Sequence, residues 1–284
     1  MRLHDHAALA KALSEGNNDV IPLFIFDTEV LERFSNKGDR RLTFIAKTLK
    51  QMHRSLKKYK SGIIILHGKA QELIPKVATI CEMDKLYAAR DHEPEARQRD
   101  KTVYNALKEK NISFESVDDN FLIFAGNKAL LNKSGEPYKV FTPFAKHWRN
   151  ILPKDAFNEK KVELKDRCAN YDDMCNLLQG NGISVIDPDQ GIDSMLDKIG
   201  YQQADITPWG VDEGQARLER FVKSAIDDYG ETRNHLADNE GTSHISPYLR
   251  FGLVSVREAA RLAVEKEGLE GPWINELIWR DFYA

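Results

Sequence analysis

The sequence predicts an α/β domain with a doubly wound parallel sheet, followed by an all-α domain. Over residues 1–130, apolar runs alternate with amphipathic helical segments, as in a parallel sheet that has helices on both faces. Residues 131–205 are polar, with glycine and proline, and predict a connector. From residue 206 to 284 the pattern becomes helical, with capping residues at several predicted helix starts.

Four segments predict the strands of the sheet. Residues 20–27 (VIPLFIFD) and 62–68 (GIIILHG) are apolar runs typical of strands that are buried on both faces. Another strand is predicted to end near 87–89, and a further one to span 112–117, with a helix between them. Between the first two strands, apolar residues recur at helical spacing beneath a basic, solvated face. These positions are Leu42, Ile45, Leu49, Met52 and Leu56.

A polar cluster follows the third predicted strand. Ligands of doubly wound sheets bind beyond the carboxyl ends of the strands, which makes residues 90–93 (RDHE) a candidate site. The same residues also fit an ordinary loop and helix start, in which Asp91 caps the helix and Glu93 pairs with Arg97. Both interpretations stay open at this stage.

In residues 206–284, two helices can be placed before the two segments described below are considered. Ala216 to Asp228 is helical in pattern, and a turn through Arg233 and Asn234 follows. Ser255 and Glu258 have the spacing of a capping box and predict a helix that ends at Gly268.

Composition excludes several classes of protein. The 284 residues are 42% apolar and 30% charged, with a net charge of −3, so the chain as a whole has no basic field to attract nucleic acid. No apolar run reaches membrane-spanning length and no signal peptide begins the chain, which predicts a cytoplasmic protein. The cysteines show no CxxC spacing, so we predict no metal site and no disulfide framework. They are Cys81, Cys168 and Cys175.

Residues Gly241 to Leu249 (GTSHISPYL) form the first of two informative segments. Ser246 is the predicted N-cap of a helix, with Pro247 at the first helical position. Hydroxyls and free backbone N–H groups at such a helix start can bind phosphate. Simple capping of a helix is the alternative interpretation.

Residues Asn275 to Tyr283 (NELIWRDFY) form the second segment, in a helix predicted to begin near Trp273. Glu276, Trp279 and Arg280 recur at spacings of three and four and share one face. An indole, a carboxylate and a guanidinium suit a flat, polar-edged ligand on a phosphate backbone. An ordinary helix with a buried tryptophan and a surface ion pair is the alternative.

Together and in this order, the two segments resemble the signature of the photolyase and cryptochrome family. Ile245 stands where leucine is usual, and the second segment fits throughout. Residues 3–9 (LHDHAAL), 141–148 (FTPFAKHW) and 208–221 (PWGVDEGQARLERF) resemble further stretches of the family, so the resemblance extends over nearly the whole chain.

The resemblance implies a helical domain that binds FAD, and it assigns the site residues. Tyr229 and the segment Thr242, Ser243, His244, Ile245 and Ser246 match FAD-binding positions, and Trp273 lies beside the flavin pocket. Glu276 and Trp279 would act catalytically by holding the damaged base. Arg233 and Arg280, with Glu276 and Trp279, would contact DNA. An antenna, methenyltetrahydrofolate or deazaflavin, would lie near residues 90–93.

The implied function is that of a deoxyribodipyrimidine photo-lyase, which repairs cyclobutane pyrimidine dimers in light. An electron passes from reduced FAD to a dimer flipped out of UV-damaged DNA. The implied partner is therefore damaged DNA, and we expect a monomer. A cryptochrome-type blue-light receptor is the alternative within the family. A nucleotide-binding α/β module is the alternative outside it, but that module predicts a glycine-rich phosphate loop, and Gly68-Lys69-Ala70 is too weak a match.

Two departures from the family pattern concern the ends of the chain. Family members begin with a WFRxDLR-type strand, which would be central in the sheet, and they continue beyond the WRDFY helix. We therefore expect a photolyase truncated at both ends, with an incomplete helical domain. Such a chain is expected neither to hold FAD tightly nor to repair DNA by itself.

Overall fold

The computed structural model describes residues 1–15, 19–123, 127–207, 209–235, 237–238 and 240–283. Residue 208, the first of the segment 208–221, lies outside the described residues. Within them, no helix is both long and apolar enough to cross a membrane. The described elements, in chain order, are α1 (Ala7–Glu15), β1 (Leu23–Asp27), α2 (Thr28–Leu31), α3 (Arg40–Lys57), β2 (Ile64–Gly68), α4 (Ala70–Ile80), β3 (Lys85–Ala89), α5 (Pro94–Lys108), β4 (Ser113–Val117), α6 (Phe141–Ile151), α7 (Tyr171–Gly180), α8 (Ile192–Lys198), α9 (Glu213–Ser224), α10 (Tyr229–Thr232), α11 (Ser246–Arg250), α12 (Val256–Glu267) and α13 (Pro272–Phe282).

The chain divides into two compact units. The α/β unit comprises Met1, Ala7–Val117 and Val162–Val211. The helical unit comprises Arg2–His6, Asp118–Lys161 and Asp212–Ala284. The stretch 131–205, predicted as a connector, is divided between the two.

All four predicted strands are present, and they form parallel pairs. β1 pairs with β2, and β3 pairs with β4. The first strand begins at Leu23, later than predicted, because Pro22 has no N–H for a ladder. The preceding Val20 forms an isolated bridge with Cys168. Parallel strands with crossover helices confirm the predicted α/β class.

Helix α3 follows the predicted amphipathic pattern. Asp39 caps it by accepting a hydrogen bond from the Arg41 amide at 2.8 Å. Leu42, Leu49 and Leu56 are buried, as their helical spacing predicts. The basic residues lie around the remainder of the helix.

The helical unit has a core of aromatic and aliphatic side chains. Trp148 of α6 is fully buried and packs with Phe144 and with Ile278 of α13. Ser255 caps α12 by accepting from the Glu258 amide, and the helix ends at Gly268, both as predicted. Helix α9 ends at Ser224, four residues before the predicted end at Asp228.

A buried charge network fixes the N-terminal residues 2–6 within the helical unit. The Arg2 guanidinium donates to both carboxylate oxygens of Asp119, at 3.0 and 2.9 Å. Arg257 donates to Asp119 at 2.9 Å and to Asp5 at 2.9 Å. Ser255 donates its hydroxyl hydrogen to Asp5. Two guanidinium groups therefore neutralise two carboxylates, which makes burial of all four tolerable.

Candidate functional site

Trp279 of α13 is packed within the helical unit. Its indole stacks on the Phe141 ring, with 3.7 Å between the ring centroids and an angle of 6° between the planes. Tyr283 lies nearly parallel to the indole at 5.4 Å. One face of the ring that was predicted to stack on a base is therefore covered by a side chain of α6.

Arg280 points into the unit. Its guanidinium donates to the backbone carbonyl of Asn120 and lies 4.7 Å above the Phe121 ring. Burial lowers the pKa of Arg280, and the neighbouring Asp281 carboxyl opposes that effect. In this arrangement the guanidinium orders the chain around Asn120, and it is not presented to a phosphate.

Asp281 is a buried polar residue that the sequence interpretation missed. It is fully buried and accepts hydrogen bonds from Trp148 Nε1 at 3.0 Å and from the Ile123 amide at 2.9 Å. Burial raises its pKa to about 6, although these donors act in the opposite direction. Trp148 lies in the segment FTPFAKHW and Asp281 in the segment NELIWRDFY. Part of the resemblance therefore concerns residues that pack these two segments against each other.

Glu276, Arg233 and Tyr229 come together at the other end of α13. Arg233 Nη1 and Glu276 Oε1 are 2.8 Å apart, and both side chains are about two-fifths exposed. Burial raises the pKa of the Tyr229 hydroxyl to about 12; the Glu276 charge adds to this, whereas Arg233 opposes it. The structure thus unites three residues that were predicted separately.

An aromatic cluster lies behind this group. Trp273 and Tyr229 are both buried, and both contact Phe221 of α9. Phe221 is 5.1 Å from the Trp273 ring and 5.7 Å from the Tyr229 ring. Phe221 was not predicted as a site residue. Its place at the end of the segment 208–221, which resembles the family, could have indicated it. These rings hold α9, α10 and α13 together.

The loop before α11 differs by one residue from the predicted cap. Helix α11 begins at Ser246, and Ile245 is the N-cap, because the Ile245 carbonyl accepts from the Leu249 amide at 2.9 Å. The prediction of Ser246 as N-cap was therefore wrong. Pro247 still lies in the first turn, and Ile245 is buried at 2% exposure, which anchors the loop. His244 adopts a left-handed backbone, with φ at +50°.

Thr242, Ser243 and His244 line a small cleft of about 50 Å³. Thr242 Oγ1 is 3.2 Å from His244 Nε2. Two arginines of α9 line the same cleft: Arg217, which is paired with Glu213 at 2.7 Å, and Arg220, for which the described residues provide no partner. Guanidinium groups and hydroxyls together suit a phosphate group. The side chains of this cleft therefore fit the phosphates of the predicted cofactor, FAD. The remaining residues that line the cleft are Phe221, Ser224, Ala225 and Glu240.

Helix α10 connects the two informative segments. Thr232 Oγ1 donates to the Gly241 carbonyl at 3.1 Å, directly before Thr242. The next residue, Arg233, forms the ion pair with Glu276. The cleft lined by Thr242 and Ser243, here called the hydroxyl cleft, and the exposed part of α13 around Glu276 therefore belong to one continuous region of the helical unit.

The candidate cluster at 90–93 belongs to the α/β unit. Arg90 donates to the Ser116 carbonyl at 3.2 Å, at the carboxyl ends of β3 and β4. Asp91 accepts from the amides of His92 and Glu93, at 2.7 and 3.3 Å. The N-cap of α5 is Glu93, so Asp91 shapes the preceding turn and does not cap the helix.

Comparison with known proteins identifies similar chains. The profile of the DNA photolyase family matches residues 1–162. A deoxyribodipyrimidine photo-lyase from Synechococcus is 30% identical over 297 residues, covering 100% of this chain and 57% of the relative. A deoxyribodipyrimidine photo-lyase from Vibrio cholerae is 31% identical over 218 residues, covering 74% and 42%. The chain thus spans about half the length of these relatives.

The fold is also similar to that of a solved photolyase. The archaeal photolyase from Sulfolobus tokodaii matches with a TM-score of 0.72 and 23% identity. The match covers 99% of this chain and 56% of that protein.

Proposed function

The chain belongs to the DNA photolyase family, and we propose that it serves the light-driven repair of cyclobutane pyrimidine dimers in DNA. The observation that carries this proposal is the continuous region in which α10 joins the hydroxyl cleft to Glu276. A phosphate-binding cleft beside an exposed carboxylate and guanidinium suits a nucleotide cofactor and a damaged base. The photo-lyase names of the Synechococcus and Vibrio cholerae relatives support the same reaction.

We propose FAD as the cofactor. Thr242 and Ser243 would donate hydroxyl hydrogens to its phosphates, and Arg220 would neutralise their charge. His244, Ile245 and Ser246 complete the proposed binding segment. The solved archaeal photolyase carries two FAD molecules, which supports this choice. When bound and reduced, FAD supplies the electron that splits the dimer in light.

Tyr229 and Trp273 would support the proposed binding region through their contacts with Phe221. They are buried against Phe221, so their proposed role is to position α10 and α13, not to stack on a ligand. Tyr229 also contacts the Arg233 side chain, which fixes the guanidinium next to Glu276. An antenna, methenyltetrahydrofolate or deazaflavin, stays a proposal for the region of residues 90–93.

The proposed substrate is UV-damaged DNA with a dimer flipped out of the duplex. Glu276 would accept hydrogen bonds from the N–H groups of the dimer, and Arg233 would pair with a phosphate once it is released from Glu276. Trp279 would provide a stacking surface, for which Phe141 must first move aside. Arg280 would act by ordering the neighbouring backbone at Asn120.

We also propose that the 284-residue chain does not repair DNA by itself. The support is the stack of Trp279 on Phe141, because a dimer held by Glu276 would lack the stacking surface that the covered indole would otherwise provide. No observation favours the alternative function of a blue-light receptor. The monomeric state and a cytoplasmic location stay predictions from the sequence.

Binding of a fluorescent oligonucleotide that contains one thymine dimer tests the assignment. We expect the chain to bind it more tightly than the undamaged oligonucleotide, and Glu276→Ala to remove the difference. Glu72→Ala changes an exposed carboxylate of the α/β unit and serves as the matched control. Equal affinity for damaged and undamaged DNA would contradict the proposed substrate.

Illumination of dimer-containing DNA with the chain and reduced FAD tests the proposal that the chain does not repair DNA by itself. We expect no loss of dimers in the presence of the chain alone. Repair by the chain would overturn the proposed inactivity and would at the same time support the photolyase reaction.

A further inference from the structure

Helix α5 buries one side of its surface in the α/β unit. Val103 and Leu107 are buried and pack in one core cluster with Ala78 of α4 and with Phe114 of β4. Successive residues of an α-helix are rotated by about 100° around its axis, so these two side chains mark the core side of α5. The direction of every other residue of the helix follows from this reference.

Four exposed residues form one stripe along α5. Arg97, Lys101, Tyr104 and Lys108 follow one another at spacings of four, three and four residues, and each is exposed. They fall within an arc of about 60°, whose centre lies roughly 110° from the core side. Tyr104 is 45% exposed. The stripe, here called the α5 stripe, therefore presents three cations and one aromatic ring to the solvent.

The cations of the α5 stripe keep their charge available. In the part of the chain that the structure describes, none of the three forms an ion pair with a carboxylate. The two carboxylates of the same helix have other partners: Asp100 lies 2.7 Å from Arg99, and Glu95 lies 4.0 Å from Arg33. An anion that approaches the stripe would consequently meet three positive charges that no ion pair compensates.

The α5 stripe is a local basic patch on a chain whose net charge is −3. From residue 97 to residue 108 the helix rises about 16 Å, since each residue adds about 1.5 Å. That is the length of about five nucleotides of a stacked strand, at about 3.4 Å each. A phosphate backbone can therefore follow the stripe and contact all three cations.

The exposed ring of Tyr104 restricts the class of anion. An aromatic ring between cations suits single-stranded nucleic acid, because lysine and arginine bind phosphates while the ring stacks on a base. In a duplex the base faces are covered by their neighbours, so the ring would find no base to stack on. An anionic membrane would require several apolar side chains that insert between the lipids, and Tyr104 is the single uncharged residue of the stripe.

We propose that the α5 stripe binds single-stranded DNA, whether or not the DNA is damaged. Arg97, Lys101 and Lys108 bind phosphates, and Tyr104 stacks on a base. The stripe belongs to the α/β unit, whereas the residues proposed to hold the dimer belong to the helical unit. The inference is therefore independent of the proposed repair function.

Undamaged oligonucleotides test the proposal. The probe is a fluorescent single strand of about twelve thymidines, and the control strand has the same phosphates but abasic residues. We expect the full chain to bind the thymidine strand at least about fivefold more tightly than the abasic strand, as expected for one stacked base. Equal affinity of the two strands would overturn the proposal, because the stripe would then be a general surface for anions. Tighter binding of a duplex or of an RNA strand would contradict single-stranded DNA as the occupant.

Variants of exposed residues locate the binding on α5. Tyr104→Ala should weaken binding of the thymidine strand at least about fivefold and leave binding of the abasic strand unchanged, whereas Tyr104→Phe keeps the ring and should change neither. Lys101→Ala should reduce the slope of log affinity against log salt by about 0.7, the value for one phosphate of a single strand. Lys58→Ala, at an exposed lysine that follows α3 in the same unit, is the matched control. An unchanged affinity in Tyr104→Ala, or equal slopes in Lys101→Ala and Lys58→Ala, would overturn the proposal.

Discussion

The segments GTSHISPYL and NELIWRDFY look equally suited to a ligand, yet the fold uses them differently. In the first, Thr242 and Ser243 line a cleft beside the guanidinium of Arg220. In the second, Trp279 stacks on Phe141, and Asp281 is fully buried. The first segment therefore presents its polar groups outward, whereas in the second Trp279 is covered by a ring and Asp281 lies in the core, before Tyr283 emerges at 78% exposure.

This difference separates the residues that we propose to bind a ligand from the residues that support them. The N-terminal half of the second segment resembles the first segment, because Glu276 stays exposed and is joined through Arg233 to α10. Helix α13 thus carries an exposed carboxylate, Glu276, in its first half and a buried one, Asp281, near its end. Substitutions along it are expected to change ligand binding at one end and stability at the other.

Replacement of Asp281 should give the largest effect on stability. Asp281→Ala leaves the Trp148 indole N–H and the Ile123 amide buried without an acceptor. We expect the free energy of unfolding to fall by about 3 kcal/mol at pH 5. Urea unfolding followed by tryptophan fluorescence measures this, because Trp148, Trp273 and Trp279 all lie in the helical unit. Glu276→Ala is the matched control and should change stability by less than about 0.5 kcal/mol.

The buried carboxyl should also make stability depend on pH. The folded pKa of Asp281 is about 6, above its ordinary value of 3.8, so the folded state binds the proton more tightly. Its contribution to stability is complete below pH 4 and is lost as pH rises through 6. We expect a loss on the order of 2 kcal/mol between pH 4 and 7 that is absent in Asp281→Asn. Parallel pH profiles of the two proteins would show that Asp281 does not titrate in this range.

Removal of the ring that covers Trp279 should have a smaller effect. Phe141→Leu keeps an apolar side chain but abolishes the stack at 3.7 Å. We expect a loss of about 1 kcal/mol and a red shift of tryptophan emission as the indole meets water. Phe157→Leu, a partly buried ring near the same core, provides the comparison. An unchanged emission spectrum would mean that the indole stays covered without Phe141.

The ion pair at the exposed end of α13 should contribute least to stability. Arg233 and Glu276 are both about two-fifths exposed, so solvent screens their attraction. Arg233→Ala should change the free energy of unfolding by less than about 0.5 kcal/mol. A loss as large as that of Asp281→Ala would place this end of the helix in the core and would remove the contrast between its two halves.

Periodicity and capping rules predicted much of the fold. Apolar runs located β1 and β2, and the spacing of Leu42, Leu49 and Leu56 located α3, because burial of one stripe imposes a period that is visible in the sequence. The cap of α11 was assigned one residue too late. Ile245 and Ser246 both precede Pro247. Which of the two is the N-cap depends on the left-handed backbone of His244, and local propensity does not predict that conformation.

The site was harder to predict than the fold. The resemblance predicts Thr242, Glu276 and Trp279 as site residues, but it could not show that Phe141 covers the indole, since the contact joins residues 138 positions apart. Asp281 was missed for a related reason: its buried partner, Trp148, lies 133 positions away in the chain. Contacts of this kind follow from packing, and a single sequence contains no periodic signal for them.

Titration with FAD, followed by flavin fluorescence, tests the contrast between the two segments most directly. The pair Thr242→Ala/Ser243→Ala should weaken binding at least about tenfold, as expected for lost hydrogen bonds to charged phosphates, whereas Trp279→Phe should change it less than about twofold. Equal affinity of all three proteins, or a loss confined to Trp279→Phe, would contradict the account.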